Sequence, residues 1–260
     1  MLDAAYKAGE EILKVYSTDF AVEEKEDESP LTIADKNAHE KIVKYLKSTA
    51  YPVLSEEGRS IPYRERKGWD YFWMVDPLDG TKEFIKKNGE FTVNIALIHK
   101  QKAIMGVIYV PVKDVMYFGM QNFGAYKSEN FSSISAKRID FIVDHSEKLP
   151  IKKERKYTIV GSRSHMSPET EEFIKEKEQQ KGEVEILSRG SSLKLCMIAE
   201  GLADDYPRFA PTMEWDTAAG QAIVEAMGGK VINWKTKASM LYNRENLLND
   251  WFLAYNRQFH

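Results

Sequence analysis

The sequence predicts a mixed α/β protein, with an α+β N-terminal part over residues 1–150 and an α/β C-terminal part over residues 151–260. Three observations carry this. In the middle of the chain YFWMV, FTVNIALI, AIMGVIYV and VMYFG follow one another with short Gly, Pro or charged breaks, which suits a largely antiparallel sheet. From Tyr157 onward the pattern changes to alternating strand and helix, as in an α/β unit. A chain of 260 residues is also long enough to bury a large core, as one large domain or two ordinary ones.

Taken in order, residues 3–16 set Ala5, Ile12, Leu13 and Tyr16 on one side of a helix and Lys7, Glu10, Glu11 and Lys14 elsewhere. The polar run EEKEDESP interrupts, and TIADKNAHEKIVKYLKS resumes helical spacing through Ala38, Ile42, Tyr45 and Leu46. YPVLSEEG reads as a short buried strand, Val53 and Leu54, that ends in acids. After the four strand runs, the basic stretch LPIKKERK at 149–156 is the best boundary between the two parts. Beyond it, strands YTIVGS, EVEIL, KVINW and WFLAY alternate with helices PETEEFIKEKEQQ, SSLKLCMIAEG and DTAAGQAIVEAMGG.

Hydrophobic residues make up 43% of the chain and charged ones 30%, and the formal net charge is -3. That balance lacks the basic stripe of a general nucleic-acid binder, so any anionic ligand must be met by local devices. Cys196 is the only cysteine; it excludes an intramolecular disulfide, argues for a reducing compartment, and lies in an apolar run that should be core. The N-terminus has no signal-peptide pattern and no apolar stretch reaches a spanning length. The expectation is a cytoplasmic protein with no transmembrane segment, leaving peripheral contact with the cytoplasmic face of a membrane open.

The segment VDPLDGTKEF asks for chemistry. Pro77 lacks an N–H and Gly80 tolerates conformations other residues avoid, so the chain should bend sharply right after YFWMV. Asp-Pro and Asp-Gly are ordinary turn pairs, but here Asp76 begins where water is scarce, and two nearby carboxylates repel unless a cation compensates them. Mg2+ prefers hard oxygens, and this bend offers Asp76, Asp79 and a backbone carbonyl between them. Gly80 and Thr81 open a short helix whose free N–H groups suit a phosphate. Glu56 and Glu57 end another apolar run, and Asp216 begins an Ala-rich helix, where a plain N-cap is the ordinary reading.

LSEEG, WMVDPLDGTKEF and EWDTAAGQAIVEAMGG, in this order, resemble the three signature segments of the inositol monophosphatase superfamily of metal-dependent, lithium-sensitive phosphatases. The resemblance runs from SPLTIAD to the C-terminal strand. DPLDGTKEFIKKNGEFTVNIALI, GSSLK and YPRF are similar to its bacterial CysQ-type branch, the 3'(2'),5'-bisphosphate nucleotidases.

The resemblance implies a layered α/β/α/β/α sandwich of the inositol monophosphatase and fructose-1,6-bisphosphatase type. It implies Glu56, Asp76, Asp79, Asp216 and the carbonyl of Leu78 as ligands to two Mg2+ ions, with a third joining alongside substrate; Glu56 is chosen over Glu57 as the first acid of the matching pair. Asp35 and Thr81 correspond to the pair that orients the attacking water, although Asp35 also suits helix capping. The implied substrate contacts are Glu56, Asp79, Gly80, Thr81, Lys82, His165, Ser191, Lys194, Arg208 and Asp216. GSSLK is read as starting a helix, so that Ser191 and nearby N–H groups face an anion with Lys194 one turn on. Arg208 suits a 5'-phosphate or an adenine face. Lys194, Arg208, His165 and Lys82 each also have a solvent-facing reading.

The implied activity is removal of the 3'-phosphate of adenosine 3',5'-bisphosphate (PAP), with the activated sulfate donor PAPS as a second substrate and Li+ as an inhibitor, by a monomer or homodimer acting on a small nucleotide. An inositol or sugar phosphatase with the same metals, and a catalytically silent nucleotide or metal sensor, are the alternatives.

Overall fold

The computed structural model describes residues 1–24, 30–134, 138–151, 154–161 and 167–256. Helix α1 (Leu2–Tyr16) buries Ala4, Ala5, Ala8 and Ile12, a stripe at helical spacing. Strands β1 (Val22–Glu24) and β2 (Pro30–Thr32) pair as a short antiparallel ladder leading into α2 (Ile33–Leu46). Then come β3 (Val53–Ser55), the single turn α3 (Tyr63–Arg66), β4 (Tyr71–Asp79) and the short α4 (Thr81–Ile85). The antiparallel run β5 (Thr92–His99), β6 (Lys102–Val110), β7 (Val115–Met120) and β8 (Gly124–Glu129) follows, with α5 (Ile139–Asp144) before β9 (Glu147–Lys148). The C-terminal part alternates as expected: β10 (Tyr157–Gly161), α6 (Pro168–Lys181), β11 (Val184–Ser188), α7 (Leu193–Glu200), β12 (Asp205–Arg208), α8 (Glu214–Ala226), β13 (Lys230–Asn233) and β14 (Phe252–Tyr255).

Strands β3 to β9 make a seven-stranded sheet in sequence order, antiparallel throughout except where β3 runs parallel to β4. The second sheet has the order β11-β10-β12-β14-β13, parallel over its first three strands and antiparallel at β14. Helices α1 and α2 cover one face of the large sheet, α7 and α8 fill the space between the sheets, and Phe173 and Ile174 of α6 pack on the outer face of the small one. The result is the α/β/α/β/α sandwich.

Because both faces of the large sheet are covered, its central strands are apolar on both sides. Along β4, Phe72 and Met74 join the core shared with α7 and α8, while Trp73 and Val75 join the core under α1 and α2. Cys196 is buried in the former, as its neighbours suggest. The marginal strands β8 and β9 were not legible in the sequence, since GAYKSE buries only Ala125 and Ser128 and β9 buries nothing.

The acidic segment departs from its expected form. Rather than bending off after the strand, residues 76–79 remain in β4: Asp76 stands opposite Asn94 and Asp79 opposite Thr92, so β4 spends three steps where β5 spends two. That is a β-bulge, and Pro77, which has no N–H to give the ladder, sits inside it. The sharp turn comes one residue later at Gly80, whose φ of 94° is a conformation a side chain would strain.

Helix α8 lies close on the large sheet because Gly106 of β6 has no side chain. A Cβ there would come within 2.2 Å of the Ala219 carbonyl oxygen.

Candidate metal and phosphate site

Three chain segments bring carboxylates to the C-terminal end of β4. Pairing of Ser55 with Val75 sets Glu56 beside Asp76, and the Glu56 N–H donates to the Val75 carbonyl at 3.1 Å. Asp216 arrives from the first turn of α8. One carboxylate oxygen from each of Glu56, Asp76 and Asp216 lies within 4.8 Å of the others.

Burial pushes the Asp76 carboxyl well above its ordinary range, and the neighbouring charges of Glu56, Asp79 and Asp216 push it further. Burial does the same at Asp216, with Asp79 next in importance. Mutually repelling hard-oxygen donors gathered around the buried Asp76 hold either protons or a divalent cation, so these residues fit a hard divalent metal. It is Glu56, not Glu57, whose oxygen lies in this group. Leu78 donates its N–H to Asp76 Oδ1 at 3.0 Å, which orients that carboxylate, and its carbonyl lies 3.4 Å from Thr81 Oγ1.

Asp79 is held apart from the three. Its Oδ2 accepts from the Ser192 N–H at 2.5 Å, from Asn94 Nδ2 at 3.3 Å and from Thr92 Oγ1 at 3.5 Å. The Ser192 hydroxyl in turn donates to Asn94 Oδ1 and lies 2.7 Å from Thr92 Oγ1. Burial raises the Asp79 carboxyl, while the Lys194 charge and the Ser192 N–H work against that rise.

Capping geometry aims two of the acids. Asp35 is the third residue of α2, and its Oδ2 accepts from the N–H and hydroxyl of the N-cap Thr32 at 2.8 and 2.7 Å. Its other oxygen accepts from Thr81 Oγ1 at 3.3 Å. Asp216 is likewise the third residue of α8 rather than its N-cap, and its Oδ2 accepts the Met213 N–H at 2.8 Å. For both residues capping engages one carboxylate oxygen, so a cap does not by itself exclude the functional reading.

Beside the acids opens a cleft of about 360 Å³, lined by Asp79, Lys82, Ser191, Lys194, Arg208 and Asp216 from the expected set. Lys194 is not a solvated helix residue. It is only 6% exposed, its ammonium donates to the carbonyls of Ser191 at 2.6 Å and Arg189 at 3.2 Å, and burial lowers its pKa to about 8. Ser191 precedes the helix, which begins at Leu193, and takes a φ of 45°. Arg208 donates from Nη2 to the Pro211 carbonyl at 2.8 Å, leaving its Nε buried without a hydrogen-bond partner. His165 lies outside the described residues.

Lys86, Arg189, Tyr206 and Thr212 also line the cleft and were not foreseen. Nor were Thr92, Asn94 and Ser192, although the first two left a signal: they are the polar residues at alternate positions of the otherwise apolar FTVNIALI.

Residues 1–257 match the model of the inositol monophosphatase family. The 3'(2'),5'-bisphosphate nucleotidase CysQ of Salmonella typhimurium is 43% identical over 252 residues, covering 95% of either chain. The protein of that name from Buchnera aphidicola is 41% identical over 257 residues, 96% of this chain and 90% of its own. Among solved structures, CysQ from Bacteroides thetaiotaomicron, described as a bacterial member of the inositol monophosphatase family, superposes with a TM-score of 0.90 at 50% identity, covering 98% of this chain and 95% of that one. The suhB protein from Bartonella henselae, at 24% identity and a TM-score of 0.75 over 100% of this chain and 93% of its own, shares the fold. Among the described residues no helix is long and apolar enough to cross a membrane.

Proposed function

The chain belongs to the inositol monophosphatase family, and from that premise we propose that it is a Mg2+-dependent 3'(2'),5'-bisphosphate nucleotidase, removing the 3'-phosphate of PAP to give AMP and phosphate. PAPS, which carries the same 3'-phosphate, is a second substrate. One observation carries the reading beyond the relatives' names: a carboxylate group of buried Asp76 with half-buried Glu56 and Asp216 adjoins, through Asp216, a cleft that also presents Lys194 and Arg208. An anionic metal cradle beside cationic side chains suits a ligand with one phosphate to be cleaved and a second to be held.

Glu56, Asp76, Asp79, Asp216 and the Leu78 carbonyl would hold two Mg2+ ions, with a third entering alongside substrate. Bound there, the ions lower the pKa of water and offset the charge of the phosphate. The chain's own residues do the positioning. The single hydroxyl proton of Thr81 has two acceptors within reach, Asp35 Oδ1 at 3.3 Å and the Leu78 carbonyl at 3.4 Å; in this mechanism Asp35 accepts it, so the Thr81 oxygen keeps its lone pairs to accept a hydrogen bond from the attacking water. The capping bonds from Thr32 fix the Asp35 carboxylate and therefore that direction.

The water oxygen bonds to phosphorus, the bond from phosphorus to the 3'-oxygen breaks, and the released oxygen takes up a proton. Gly80, Thr81 and Lys82 offer backbone N–H groups at the start of α4, and Ser191, Lys194 and Arg208 meet the rest of the nucleotide. The same reading puts the enzyme in the cytoplasm as a monomer or homodimer and makes Li+ an inhibitor.

The test is phosphate release with Mg2+ from PAP, inositol 1-phosphate and fructose 1,6-bisphosphate side by side, in the intact protein and in Lys194→Ala and Arg208→Ala. Preference for PAP, lost in both variants, is expected. Preference for either other substrate, or unchanged variants, overturns the substrate assignment; no release from any overturns the enzyme reading.

A further inference from the structure

The connection from β11 to α7, Arg189 to Ser192, belongs to the C-terminal part of the chain but is gripped from the N-terminal part. At one end the Ser192 N–H donates to Asp79, and the Ser192 hydroxyl is fastened to Thr92 and Asn94. At the other end the Gly190 N–H donates to Glu90 Oε2 at 2.8 Å, and Arg189 Nε lies 4.0 Å from Glu90 Oε1. Between the grips Ser191 sits at a φ of 45°, a conformation a residue with a side chain keeps only when its neighbours impose it. From below, the Lys194 ammonium takes the carbonyls of Arg189 and Ser191. The loop's backbone is thus tied inward, and Arg189 and Ser191 line the cleft.

Glu90 stands outside the carboxylate group that would hold metal, and its side chain is only 15% exposed. A carboxylate so placed near a cleft for anions disfavours binding by its charge alone, unless that charge is spent on organising the donors. It lies next to Arg189, which lines the cleft together with Lys82 and Lys86 and donates from Nη1 to the Ser188 carbonyl at 2.8 Å.

We propose that Glu90 is a positioning residue for substrate: through the Gly190 N–H and Arg189 it sets the Arg189–Ser192 loop so that Arg189 meets the phosphate that is not hydrolysed. This rests on the nucleotidase reading. The phosphate being cleaved must lie against Glu56, Asp76 and Asp216, so a guanidinium elsewhere in the cleft lining serves the other one. The Asp79 end of the loop is fastened independently of Glu90, so loosening the Glu90 end disturbs binding of the second phosphate more than the chemistry.

The experiment compares steady-state kinetics of the intact protein, Glu90→Ala, Glu90→Gln, Arg189→Ala and the Glu90→Ala/Arg189→Ala double variant on PAP and on adenosine 3'-monophosphate, with saturating Mg2+. Loss of one charge-assisted hydrogen bond predicts that Glu90→Ala raises KM for PAP about tenfold, with kcat held within about twofold, and raises KM for the monophosphate less than about threefold. Glu90→Gln, which keeps an acceptor for the Gly190 N–H but not the charge, falls between the intact protein and Glu90→Ala, and it stands in should Glu90→Ala not fold. The double variant is no worse than the worse single one, since both act on one loop. Equal KM increases on both substrates, a fall in kcat without a rise in KM, or fully additive losses overturn the proposal. Failure of the parent reading is separate: the intact protein would then release no phosphate from either nucleotide.

Discussion

Replacing buried Asp76 with Asn removes one negative charge from the carboxylate group while sparing the local backbone, because an amide oxygen still accepts the Leu78 N–H that Asp76 Oδ1 accepts at 3.0 Å. The partner oxygens of Glu56 and Asp216 lie within 4.8 Å. Unit charges at that distance, in a medium of effective dielectric constant about 20, repel by about 3 kcal/mol per pair. Protons taken up by the raised carboxyls relieve part of this, so the metal-free variant should gain about 1–2 kcal/mol, a Tm higher by about 2–8 °C for a chain of this size. With Mg2+ at about a hundred times its Kd, the intact protein should gain about 2.7 kcal/mol by linkage. The variant should gain much less, and its phosphate release should fall by about a thousandfold or more, since metal assistance is worth several kcal/mol. Thermal unfolding with and without Mg2+, beside an activity assay, reads all three effects. A variant that is less stable than the intact protein without metal, or that keeps a normal rate in Mg2+, refutes the assignment of this group as the metal cradle.

Two more outcomes follow from the site. The carboxyls of Asp76, Asp79 and Asp216 are raised in the folded state above their unfolded value, so the folded state binds the extra protons; that contribution is complete below the unfolded pKa and is lost as pH rises through the folded values. Metal-free stability measured by urea unfolding should therefore fall from acid toward neutral pH, with Mg2+ restoring it at neutral pH; a metal-free stability that climbs over this window contradicts the raised carboxyls of this group. Thr81→Val, which cannot hydrogen-bond to Asp35 or to water, should lower kcat by about a hundredfold or more while Mg2+ still raises the Tm, and Thr81→Ser should keep most of the rate. Equal activity of the Val and Ser variants would remove Thr81 from the chemistry.

Much of this site was legible in the linear chain because it is built from local signals. Asp76, Pro77, Asp79 and Gly80 follow an apolar run of residues, and acids at the start of α2 and α8 are capping residues whatever else they do. Each of these can be read from residues a few positions apart. The form of the acidic segment could not: a bulge is defined only against its partner strand, and the pairing of Asp76 with Asn94 and Asp79 with Thr92 exists only once β5 lies beside β4.

The same limit explains Lys194 and the loop before it. Helical spacing tells which side chains share a face but not what covers that face; here Tyr206, the Ser191 and Arg189 carbonyls and the Asp79 charge surround the ammonium. Glu90 and Gly190 are a hundred positions apart, and no period or motif links them. By itself, then, the sequence determined the order of strands and helices, the acids that could gather, and the family resemblance. Only the tertiary structure decided which oxygens face one another, which cation is buried, and which carboxylate reaches across from one part of the chain to hold a loop of the other. Burial and long-range hydrogen bonds depend on neighbours that the chain brings together only by folding.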